Sequence, residues 1–155
     1  MARGAGQGGA GFAQGRFGVP VPMTRTLRAL GAVTVAYSVA VVAVPKLLAG
    51  PCRMTDVTGR TPWSARVLIQ GIGVRDTAIG VAMMTAPPGI ALTASTLCRI
   101  ASDAGDAVAF GVALPDTGAK VKVAGFAVLW AAVNAVALAR AEPDTLSALL
   151  AGRSR

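Results

Sequence analysis

The chain has 155 residues, of which 54 % are hydrophobic and 14 % charged, with a formal net charge of +8. Globular sequences average about 25 % charged residues, so this composition argues against a water-soluble domain and, with a mean hydropathy of +0.60, for one compact membrane domain. Aromatic residues at 5 % form no interleaved basic face for nucleic acid, histidine is absent, and two cysteines without ligand spacing give neither a disulfide framework nor a metal site, so no cofactor and no metal are expected.

Residues 1–22, rich in Gly and Ala, lack periodicity and are expected to form a disordered tail. Met23 opens MTRTLRAL, which reads as a natural start for a four-span domain over 23–140. The apolar run that follows outlasts a signal-peptide core and has no clean cleavage motif before Pro45, so an uncleaved first span over about 29–44 is expected. Ala32, Ala36 and Ala40 give it a smooth face for a neighbouring helix. The loop to Arg66 carries Lys46, Arg53, Arg60, Pro51 and Trp63, a mixture suited to the headgroup layer. Thr61 is then expected to cap a helix that has Pro62 at its first position.

Span two, about 67–86, contains Gly71, Gly73, Arg75, Asp76 and Gly80 and ends at Pro87-Pro88-Gly89. So short a connection predicts that span three, about 90–114, returns antiparallel beside it. Pro115 to Gly118 form the next turn, and span four, about 121–139, has Ala127, Ala131, Ala135 and Ala139 at spacing four. Residues 141–155 are expected to be a C-terminal surface tail. The fold class predicted is all-α, an integral membrane four-helix bundle of antiparallel up-down topology, multi-pass in the cell membrane. An even number of spans puts both termini on one side; basic residues occur on both sides and do not settle which.

Five charged residues fall inside spans two and three. Each charge at the centre of a membrane helix costs roughly 2.5 to 3.5 kcal/mol, so such groups must pair or serve a purpose. Arg99, Asp103 and Asp106 stand at i, i+4 and i+7 and form a column on one face of span three. Arg75 and Asp76 are consecutive on span two, point about 100° apart, and border the same interior. Arg75 with Asp103 or Asp106, and Arg99 with Asp76, are the expected pairs. Two arginines against three aspartates leave one carboxylate without a simple partner, the arrangement used for acid and base work. Gly71, Gly73, Gly80 and Gly105 are expected to clear room for a helix or ligand, while Tyr37, Trp130 and Asn134 offer further groups to a central site.

The strings Gly73-Val-Arg75-Asp76 with Gly80, and Arg99-x-x-x-Asp103-Ala-Gly105-Asp106, resemble a family of small four-helix membrane proteins that is itself an uncharacterised domain of unknown function. The resemblance implies the fold over about 27–139 and marks these charged residues as signature positions. It implies no activity.

Three functions fit these readings. The first is a cofactor-independent membrane cyclase or isomerase of secondary metabolism acting on a lipophilic small molecule, with Asp103 or Asp106 as acid, Arg99 orienting the base, and Arg75 with Asp76 as the second wall. The second is a proton- or cation-linked transporter subunit, which with four spans predicts a homo-oligomer. The third is an assembly protein whose salt bridges fix helix register and whose alanine faces bind a partner membrane protein. In all three the bilayer is a partner and nucleic acid is not.

Overall fold

The computed structural model describes residues 21–141. Of the tails expected over 1–22 and 141–155, residues 1–20 and 142–155 lie outside the described residues, and Ala141 is the last residue of a helix and not part of a tail. Among the described residues the chain is all-helical: α1 (Val21–Ala43), α2 (Lys46–Ala49), α3 (Trp63–Thr85), α4 (Ile90–Ala113) and α5 (Thr117–Ala141). Three stretches, Thr24–Ala43, Trp63–Thr85 and Thr117–Ala141, are helices long and apolar enough to cross a membrane. α4 is as long, at 24 residues, but carries Arg99, Asp103 and Asp106 near its middle.

Three of the long helices overrun the spans expected from hydropathy, while α4 matches its span almost to the residue. α1 begins at Val21, so residues 21 and 22 belong to a helix and not to the tail, and α3 and α5 each start about one turn earlier than expected. Hydropathy marks the part of a helix that meets lipid, whereas the backbone ladder continues into polar flanks. The short α2 was not anticipated. Thr61 does not cap α3: Pro62, with ψ 153°, occupies the capping position and no side chain bonds the first turn. The proline sets the entry angle and moves the helix start one residue on, leaving the Thr61 hydroxyl out of place. Asp116 does cap α5, its Oδ1 accepting from the Ala119 amide at 2.8 Å, and its other oxygen pairs with Arg53 at 3.0 Å. This ties the loop before α3 to the start of α5.

α1 packs most extensively on α3 and α4 on α5; lighter contacts of α3 with α4 and of α1 with α5 close the ring. Positions late in α1 meet early positions of α3, and the reverse. The α1–α3 contact is set by glycine. A Cβ on Gly80 would lie 2.8 Å from the Gly31 carbonyl oxygen, and one on Gly73 would lie 2.6 Å from Val42 Cγ2, so the two backbones approach closer than side chains permit. The α1 face used is therefore Gly31, Val35, Ser38 and Val42. The expected face fails: Ala32 and Ala36 are exposed. α1 is apolar nearly all round, so its packing face is chosen by where α3 lacks side chains. Gly71 and Gly105, by contrast, have open space where a Cβ would stand.

Apolar clusters fill both ends. Leu27, Leu92, Ala137, Leu138 and Ala141 form one; Cys52, Phe110, Leu114 and Ala119, with Val41, Ala49 and Ile69 nearby, form the other. Burial pushes the Cys52 thiol up to about 11, so it is chemically quiet near neutral pH. Both Cys52 and Cys98 are free. Between the two clusters, at mid-height of α3 and α4, lie the charged residues.

Candidate functional site

The column on α4 forms as its spacing requires. Arg99 Nε donates to Asp103 Oδ2 at 2.8 Å and its Nη2 bonds Asp103 Oδ1, a two-pronged grip one turn along the same face. Arg99 also reaches across to α3, where Nη1 lies 3.0 Å from Asp76 Oδ2. Its side chain is only 2 % exposed. Arg75 makes the second two-pronged grip, on Asp106, at 2.6 and 3.1 Å. It also bends back along its own helix, Nε standing 2.9 Å from Asp76 Oδ1. Consecutive residues point apart at Cα and Cβ, but the long arginine stem lets the guanidinium return to its neighbour.

The five residues thus form one alternating chain, Asp103–Arg99–Asp76–Arg75–Asp106, running between α4 and α3. The expected unpartnered carboxylate is not there. Asp76 is shared by both arginines, and this sharing gives each end acid an arginine of its own. With all five ionised the chain keeps one unit of negative charge, because two cations face three anions. Charges buried in this way are retained only with full hydrogen bonding, which the two grips supply.

A cavity of about 330 Å³ opens beside this chain. Asp76, Arg99, Asp103 and Asp106 line one side, and Tyr37, Phe110, Phe126 and Trp130 supply aromatic walls. Phe126 stacks on Trp130 with ring centres 6.2 Å apart, and Tyr37 is tilted against Phe126 at the same distance. Trp130 Nε1 donates to Thr34 Oγ1 at 3.4 Å. Tyr37 and Phe126 are 44 % and 54 % exposed, so they stand at the mouth, on the side where α1 and α5 touch only lightly. Ser38 also lines the cavity; it is 1 % exposed, and among the described residues its hydroxyl has no hydrogen-bond partner.

Of the residues singled out from the sequence, Asp76, Arg99, Asp103, Asp106, Tyr37 and Trp130 come together around the cavity. Arg75 does not line it but holds the far end of the ion chain, its side chain 38 % exposed. Gly105 is exposed, with nothing near it. Asn134 is buried away from the cavity, its Nδ2 donating to the Trp130 carbonyl at 2.9 Å.

Sequence reading missed Thr34, Ser38, Phe110 and Phe126. The signals were present. Thr34 and Ser38 are four apart on an otherwise apolar helix, Phe110 continues the Arg99, Asp103, Asp106 column by one turn, and Phe126 stands four residues before Trp130. The chain matches no family model, no curated protein and no solved structure in these comparisons.

Proposed function

We propose that this is a multi-pass integral protein of the cell membrane, a four-helix up-down bundle that accepts a lipophilic small molecule in its central cavity and isomerises or cyclises it without a cofactor. The observation that carries this reading is one cavity lined both by aromatic rings and by Asp76, Arg99, Asp103 and Asp106. Antiparallel packing of α1 and α3 is supported by Arg28, which donates to the Ala86 carbonyl at 3.3 Å, and by Gln70, which reaches the Val42 carbonyl at 3.5 Å. In the bundle so built, α4 crosses as the fourth span because α3 neutralises its charges. The mouth between α1 and α5 then faces lipid, where an apolar substrate is concentrated.

In this mechanism one proton balances the residual negative charge of the ion chain. Asp103 or Asp106 carries it, each held by one arginine where Asp76 is held by two. Delivered to an alkene or epoxide, the proton generates positive charge that the remaining carboxylates and the Trp130 and Phe126 faces stabilise, and a proton lost from the rearranged product restores the acid. The product is an isomer of the substrate. The test is to incubate the reconstituted protein with lipid extracts and follow them by chromatography and mass spectrometry. A product of unchanged mass and altered retention is expected, abolished in Asp106→Asn or Asp103→Asn protein that retains its helicity; full turnover by both variants would sink the mechanism.

One observation favours a second reading, a purely structural network: every carboxylate of the cluster has an arginine partner, and two pairs are two-pronged. In that case exchanging Arg75 and Asp106 preserves function. Loss of function in a stably folded exchange variant returns the argument to the cavity.

A further inference from the structure

The cavity's two walls differ in what they ask of an occupant. Arg75 is set back from the cavity, so the charged groups that line it are three carboxylates and one guanidinium. The wall built from α1 and α5 offers the rings of Phe126 and Trp130, which are stacked, and of Tyr37. Aromatic faces attract cations and are indifferent or hostile to anions.

We infer that the cavity selects a ligand bearing a single positive charge on an apolar body, a protonated lipophilic amine, with its ammonium beside the carboxylates and its body against the aromatic wall. Three features converge on this. A monocation cancels the one unit of charge that the Arg/Asp chain leaves uncompensated. Each carboxylate has acceptor sites beyond those its arginine uses, since two oxygens offer about four. The volume, about 330 Å³, is at the lower end of the range for small-molecule pockets of roughly 300 to 1,000 Å³, so the body is of modest size. This assignment rests on the cavity being a ligand pocket; the ammonium takes the place of the proton that otherwise balances the chain, so such a ligand occupies the site in the state where the proposed acid has given its proton up.

The test compares probes that share a body and differ in charge: 4-phenylbutylammonium, 4-phenylbutanol and 4-phenylbutyrate. The protein contains two tryptophans, and Trp63 lies away from the cavity, so the Trp63→Phe protein reports from Trp130 alone. It is titrated in phosphatidylcholine nanodiscs, with empty discs subtracting partition into lipid. The ammonium is expected to bind about tenfold more tightly than the alcohol, and the carboxylate more weakly still. Asp103→Asn is expected to erase the preference, and if that variant fails to fold the three-probe comparison on the Trp63→Phe background decides alone. Alcohol binding as tightly as the ammonium overturns the charge assignment while the pocket stands. A preference for the carboxylate overturns it too and makes Arg99 the anchor. Binding of none of the three removes the pocket itself, and with it the proposed function.

Discussion

α3 meets its two neighbours by opposite means. Toward α1 it removes side chains, so that Gly73 and Gly80 admit the α1 backbone at distances a Cβ would forbid. Toward α4 it adds long charged ones, and the helices are joined through Arg75 and Asp76 with far less direct packing. The two contacts are connected, because Gly73, Asp76 and Gly80 share one buried stripe of α3 at spacings of three and four. α1, drawn in over the glycines on either side of Asp76, shields it from the surroundings. The glycine contact therefore creates the dry setting in which the ionic contact matters, and the ionic contact spaces α3 from α4 enough to leave a cavity.

The contrast can be broken most sharply at Arg99. Arg99→Leu leaves Asp76 with one arginine and Asp103 with none, and the expected loss is about 3 to 5 kcal/mol in a reversible unfolding titration in mixed micelles. A loss below that of Gly80→Val would show that packing, and not charge, dominates. Gly80→Val places branches against the Gly31 carbonyl and Val35, for an expected cost of about 1 to 3 kcal/mol in the same titration. It should also admit water to Asp76, visible as faster amide exchange in mid-α3. Asp106→Asn is expected to cost under about 1 kcal/mol, because Arg75 is 38 % exposed, keeps Asp76, and is screened by its surroundings. Gly105→Ala should change stability by no more than about 0.5 kcal/mol, since a Cβ there meets nothing. A large effect at Gly105 would mean that this face is covered by another molecule.

The helices were legible because proline and glycine punctuate long apolar runs: Pro87, Pro88 and Gly89 separate α3 from α4, and Pro115 precedes α5. The ion pairs across α3 and α4 were legible too, since a buried charge must find an opposite one and only two helices carry any. What the spacing could not show was the sharing of Asp76 by both arginines, which depends on how far an arginine stem can bend. Nor could it show the packing face of α1. A helix apolar on every side carries no rotational signal, so Ala32, Ala36 and Ala40 looked as suitable as Gly31, Val35 and Ser38. The choice was written in α3, at Gly73 and Gly80. Ser38 went unnoticed for the same reason: its value depends on a face that its own sequence does not announce.

Gly89, at φ 95°, turns the chain between α3 and α4 in a conformation that few other residues adopt, and this has a bearing on biogenesis. α4 carries three ionisable groups near its middle and is a poor candidate for entering lipid alone. Its counter-charges arrive on the helix translated just before it, across a connection too short to allow separation. For a chain that enters a bilayer, α3 and α4 are then inserted as one hairpin, already neutralised in pairs. Fused singly to a reporter with glycosylation sites on both flanks, α4 is expected to be translocated and modified twice, whereas α3 and α4 together are retained. The turn is in this sense a timing device for assembly.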